Sequence, residues 1–122
     1  MPDIYPVFRY PDARAAADWL CAAFGLRVHK MYEGSDGSVT HAVLALDDAM
    51  IMIGPGRDSR GRPADDDHVV YVAVDDLDAH HERARAAGAE IVQAPFDTDY
   101  GSRDYAARDL AGNVWSFGTY RP

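Results

Sequence analysis

The interval between Asp12 and Gly25 recurs between Asp75 and Gly88, and this repetition limits the fold more than any other feature of the chain. In the first stretch an alternating run, IYPVFRY (4–10), leads into Pro11 and Asp12, which open a helix with Asp12 as its cap, and Gly25 closes it. Ala16, Leu20 and Ala23, with Trp19 and Phe24 beside them, recur at helical spacing, so one helix face must lie on a sheet. Three strands are expected next: 26–33, 39–47 and 49–54, the last two joined by a tight Asp47-Asp48 turn. The segment PGRDSRGRPADDD (55–67) interrupts the pattern with proline, glycine and mixed charge and reads as a linker. The order then repeats. HVVYVAV (68–74) is a strand, Asp75 or Asp76 caps a second helix ended by Gly88, and AEIVQAPF, SRDYAARD and NVWSFGTY supply three more strands.

Two copies of a β-α-β-β-β unit predict an α+β protein. It would be a single domain of two modules, 1–54 and 68–122. Each four-stranded sheet would carry a helix on one face and leave the other uncovered.

At 122 residues the chain is long enough for an apolar core without disulfide staples, and its lone Cys21 has no internal partner. A reducing cytoplasm is therefore the expected compartment. The opening MPDIYPVFRYPD lacks the basic head and apolar stretch of a secretory signal, and AAADWLCAAFGL is interrupted by Asp18 and too short to span a bilayer. A formal net charge of −8 repels phosphate backbones and anionic lipid while drawing in cations, which excludes nucleic acid and membrane surfaces as expected partners.

Three segments in this order and spacing, VFRYPDARAAADWLCAAFGL, VYVAVDDLDAHHERARAAGAEIV and YGSRDYAARDLAGNVWSFG, resemble the vicinal oxygen chelate superfamily. That superfamily includes glyoxalase I, extradiol dioxygenases, fosfomycin-resistance enzymes and bleomycin-resistance binding proteins. Where it usually has D-P-x-G before the last strand, this chain reads D-L-A-G. The resemblance implies two curled sheets forming a cup, with a divalent ion in the metal-using members. Carried onto this sequence, the metal-ligand positions fall on Tyr5, Met52, Val69 and Ser116. A phenol, a thioether, an isopropyl group and an alcohol are a poor donor set for such an ion, so no metal, no cofactor and no catalytic residue is expected. A one-residue slip of the fifth strand would bring His68 to the ligand position in place of Val69 and reopen a site with His41.

Strand alternation assigns Tyr5, Val7 and Arg9 to the uncovered face of the first strand, with His41 and Val43 on the third and Met50 and Met52 on the fourth. In the second module it assigns Val69 and Tyr71 from the fifth strand and Ser116 from the last, with Trp115 and Phe117 turned toward the helix. The seventh strand offers either Arg103 with Tyr105 or Asp104 with Arg108, and Tyr105 is the candidate carried forward. Such a lining suits a planar organic compound, stacked on aromatics and accommodated by flexible methionines.

The expected function is ligand sequestration of the bleomycin-resistance type by a homodimer, the ligand being an aromatic or cationic small molecule. The alternatives are a metal-dependent lyase, isomerase or dioxygenase, and an interaction module whose cup is filled by its own side chains. His80 is expected at the surface with His81 toward the sheet, Cys21 off the helix stripe, and the acidic run 65–67 in solvent.

Overall fold

Helix α1 (Ala13–Phe24) begins where Asp12, in extended conformation, accepts a hydrogen bond from the Ala15 amide, and it ends at Gly25 in the left-handed region at φ 83°. Both ends are therefore set by single residues whose chemistry suits the position. The computed structural model describes residues 5–56, 70–99 and 101–121, and within them the chain runs β-α-β-β-β twice. The chain divides into two compact units at Asp58 and Ser59. The linker beyond Gly56, together with His68 and Val69, lies outside the described residues.

In the first unit β1 (Val7–Tyr10), β2 (Arg27–Glu33), β3 (Val39–Leu46) and β4 (Ala49–Pro55) form one sheet in the order β1-β4-β3-β2. β1 runs parallel to β4 and the other pairs are antiparallel. Alternation decides which side is dry. Tyr10, Ala42, Leu44, Ile51 and Ile53 are buried with Ala16, Leu20, Ala23 and Phe24 of α1, and Trp19 meets Phe24 edge-on at 5.1 Å. The Asp47-Asp48 turn holds Asp47 at φ 52°, a conformation that aspartate tolerates better than most residues.

The second unit repeats the plan with β5 (Val70–Ala73), α2 (Leu77–Ala86), β6 (Glu90–Asp97), β7 (Arg103–Arg108) and β8 (Val114–Gly118), in the order β5-β8-β7-β6. Asp76, rather than Asp75, caps α2 through the Ala79 amide. Leu77 and Ala84 mark the buried stripe of α2, and His80 falls on it. Its Nδ1 lies 2.6 Å from the Tyr105 hydroxyl and its ring 4.4 Å from Phe117. His80 is thus a sheet-facing residue and not a surface one. His81 meets the edge of Tyr105 at 5.2 Å, so both histidines reach the same ring from adjacent positions.

The turn into β8 is built on Asp109. Its Oδ1 accepts from the Ala111 and Asn113 amides, and its Oδ2 accepts from Asn113 Nδ2 and from Trp115 Nε1 at 3.0 Å. Gly112, at φ 87°, closes the turn by donating to the Asp109 carbonyl. The carboxylate, held on several sides, stabilises a loop that lacks the more usual proline. Among the described residues no helix is long and apolar enough to cross a membrane.

Candidate functional site

The uncovered face of the first sheet is legible in its register. Val7 pairs with Met52 and Met52 with Val43, which places a thioether between two β-branched side chains. One step along the sheet Met50 pairs with Ala45, and one step the other way Arg9 pairs with Gly54. Tyr32 lies opposite His41, their rings 5.7 Å apart. Tyr5 precedes β1 in the same phase as Val7. Tyr5, Val7 and Tyr32 remain 37, 46 and 49% exposed, more than packing against α1 would leave them. Tyr5, Val7, Arg9, His41, Val43, Met50 and Met52 therefore share one side of one sheet.

In the second unit Tyr71 pairs with Ser116 and Ser116 with Ala106, and all three stand on the side away from α2. Tyr105 does not join them. It pairs with Phe117, stacks on it at 5.0 Å, and is fully buried against α2. This corrects the expectation for β7: the exposed-face residues are Asp104, Ala106 and Arg108. The phase is set by bulk, because Tyr105, Trp115 and Phe117 together fill the space beneath α2, whereas Asp104 finds polar partners on the other side. Burial pushes the Tyr105 phenol well above its ordinary ionisation range.

Those partners form a cluster that sequence reasoning missed. Asp104, almost wholly buried, accepts from Ser102 Oγ at 2.5 Å and from the Tyr71 hydroxyl at 3.3 Å. The Tyr71 oxygen in turn accepts from the Tyr120 amide at 3.1 Å. Burial is the first cause that raises the Tyr71 phenol, the Tyr120 amide opposes it, and the Asp104 charge adds to it. All of this sits over Gly118, where an added Cβ would lie 2.0 Å from Asp104 Oδ1 and 2.1 Å from the Tyr71 hydroxyl. Phe96 on β6, 42% exposed, lies opposite Asp104.

Among the described residues the donor chemistry does not fit a chelated divalent ion. Tyr5 and Met52 of the first sheet and Ser116 of the second offer a phenol, a thioether and an alcohol, and Val69 lies outside the described residues. Among the described residues no group of three or more His, Cys, Asp or Glu side chains gathers at one point. A cleft of about 470 Å³ beside the first turn of α1 is lined by Pro11 to Arg14, Ser38 to Thr40 and Pro55. Its Arg14 is already paired with Glu33.

Two helix-backed four-stranded sheets, each built β-α-β-β-β, define the α+β class shared by glyoxalases and bleomycin-resistance proteins. The family model described as the Glyoxalase/Bleomycin resistance protein/Dioxygenase superfamily matches residues 5–117, and the chain belongs to that superfamily. The chain is 31% identical to TioX from Micromonospora sp. ML1, whose crystal structure superposes with a TM-score of 0.79 over 99% of this chain and 98% of that one. It is 30% identical to an uncharacterised protein of Mycobacterium tuberculosis, over 96% of this chain and 74% of the relative. An anthracycline biosynthesis protein of Streptomyces peucetius, DnrV, is 33% identical over 71% of this chain but only 35% of its own length. The fosfomycin resistance protein FosX of Mesorhizobium loti shares the fold, with a TM-score of 0.73 over 99% of this chain and 95% of that one, at 17% identity.

Proposed function

We propose that this protein is a small-molecule binder of the bleomycin-resistance type, holding an aromatic or cationic compound by stacking and burial without breaking bonds, and working as a homodimer. The observation that carries this reading is the uncovered face of each sheet. Aromatic, thioether and β-branched side chains stand there partly exposed, at Tyr5, Val7, Tyr32, Met50 and Met52 in one unit and at Tyr71 and Phe96 in the other. Isolated exposed apolar residues are ordinary, but a face lined by them and provided with a few polar groups is how ligand sites are built. The exposed tyrosines supply ring faces on which an aromatic ring can stack or a cationic group can rest. The likeness to DnrV, an anthracycline biosynthesis protein by name, supports an organic small molecule as the ligand.

The test is a titration with a panel of planar aromatic antibiotics, followed by intrinsic fluorescence and calorimetry. Trp115 is buried beneath α2 and Trp19 stands on α1, whereas Tyr5, Tyr32 and Tyr71 are exposed on the open faces. Binding is therefore expected to quench tyrosine emission more than tryptophan emission. Silence across the panel, or stoichiometric transition metal in protein purified without chelators, would replace sequestration with the metal-dependent enzyme.

A further inference from the structure

Three cations on the first open face, Arg9, Arg27 and Lys30, have no carboxylate partner among the described residues, and Arg9 is the one on β1. Arg14, Arg85, Arg103, Arg108 and Arg121 each reach a carboxylate. Arg9 makes no hydrogen bond or ion pair among the described residues, in a chain where 20 acids outnumber 12 bases. A Cβ on Gly54 would fall 2.8 Å from Arg9 Nη1, and one on Gly56 would fall 2.3 Å from Arg9 Cβ and 3.0 Å from its Cγ. Two glycines thus give up the space through which the Arg9 side chain leans across β4, bringing its guanidinium above the neighbouring strand.

What lies beyond it follows from register. Ala42 pairs with Ile53, so one further step of the antiparallel ladder sets His41 opposite Gly54, with Tyr32 opposite His41. Arg9, the Gly54 gap, His41 and Tyr32 therefore form one row across the sheet. The guanidinium lies over Gly54, so it is separated from His41 by about one strand spacing, roughly 4.8 Å. At that separation a single carboxylate oxygen can accept from both, at about 2.8 Å from each. The adjacent row, Val7, Met52 and Val43, is apolar and ends at Lys30, opposite Val43 on β2.

We propose that this row is the anion subsite of the ligand site: Arg9 receives an acidic substituent, a carboxylate or its like, on an aromatic ligand whose ring body lies over Val7, Met52 and Val43. The proposal rests on the sequestration reading and selects its aromatic branch. A planar guanidinium fork matches a carboxylate in two parallel hydrogen bonds, and the imidazole and phenol of His41 and Tyr32 can donate to an oxygen from the far side. The net charge of −8 does not oppose this. Its field is screened over about 8 Å at physiological salt, whereas the fork acts at contact.

Three probes with one ring system separate the possibilities: 2-naphthoate, 2-naphthamide and 2-naphthylmethylamine, titrated by calorimetry at low and high salt. Wild-type protein is expected to bind the naphthoate at least about tenfold more tightly than the amide, with the advantage shrinking at high salt. Arg9→Gln should abolish that preference, bringing naphthoate affinity down to that of the amide; Arg9 is exposed, so the fold is retained, and a thermal midpoint verifies it. Gly54→Ala should have the same effect from the other side by pushing the guanidinium off β4. If the amide or the ammonium probe binds and the naphthoate gains nothing, or if Arg9→Gln keeps the preference, the anion subsite is wrong while sequestration stands. If none of the three binds, sequestration falls and the subsite with it.

Discussion

At Gly118 a missing side chain decides what the second sheet can carry. Asp104 Oδ1 and the Tyr71 hydroxyl both occupy the space a methyl group would take, and neither can retreat easily, since Ser102 holds one and the Tyr120 amide the other. Gly118→Ala is therefore expected to cost about 1–3 kcal/mol, read as a lower urea midpoint with an unchanged slope. An unaffected midpoint would mean that the cluster is looser than its distances. Tyr105 supports a second prediction, in pH. Its phenol would ionise near 10.0 when unfolded, and burial raises the folded value above that. As pH rises past the unfolded value, the unfolded chain releases its proton first, so the buried phenol's stabilisation is intact below that point and is lost progressively above it. The thermal midpoint should fall between about pH 9.5 and pH 11, and Tyr105→Phe should fall less steeply over the same range. Parallel slopes would assign the alkaline loss to other groups.

Among the elements, the β7–β8 turn is the most heavily determined by one residue. Without the Asp109 carboxylate, the Ala111 and Asn113 amides and the Trp115 indole N–H lose their acceptors together. Asp109→Ala is expected to destabilise by about 2–4 kcal/mol, and Asp109→Asn by less because one acceptor oxygen survives; equilibrium denaturation of the two variants checks the order. Local chemistry of this kind is what a sequence displays. Asp12, Gly25 and the apolar stripe of α1 act within a turn or two of themselves, and the alternation in β3 and β4 follows directly from one dry face and one uncovered face. β7 was not readable in the same way. SRDYAARD has a charged residue in each phase, and what buries Asp104 is Tyr71, far away in sequence and close only once β5 and β7 flank β8. The same limit applies to α2, whose histidines sit between Leu77 and Ala84 with too few apolar neighbours to fix the helix's rotation. The Arg9 subsite depends on Gly54 and Gly56 in another strand and its end, so its geometry emerges only with the ladder.

For the whole molecule the governing quantity is charge. A formal net charge of −8 per chain means that any homodimer brings two strongly acidic bodies together, and the repulsion must be overcome by contacts that exclude water. The outer strands have some protection against indiscriminate pairing: Arg27, His29 and Lys30 stand exposed on β2, and Glu90, Pro95 and Asp97 lie on β6. If association is driven by apolar burial against this repulsion, salt should favour it. Lowering ionic strength from about 0.15 M to 0.01 M lengthens the screening distance from about 8 to about 30 Å, so like charges on the two protomers act over most of the dimer. Light scattering at the higher salt is expected to give about twice the 13.4 kDa chain mass, and dilution at the lower salt should dissociate the dimer at higher protein concentration. The reverse dependence, tighter association as salt is withdrawn, would mean that the interface is held by ion pairs between β2-like and β6-like edges. A mass of one chain at every salt would make the binding face of each module a property of the monomer.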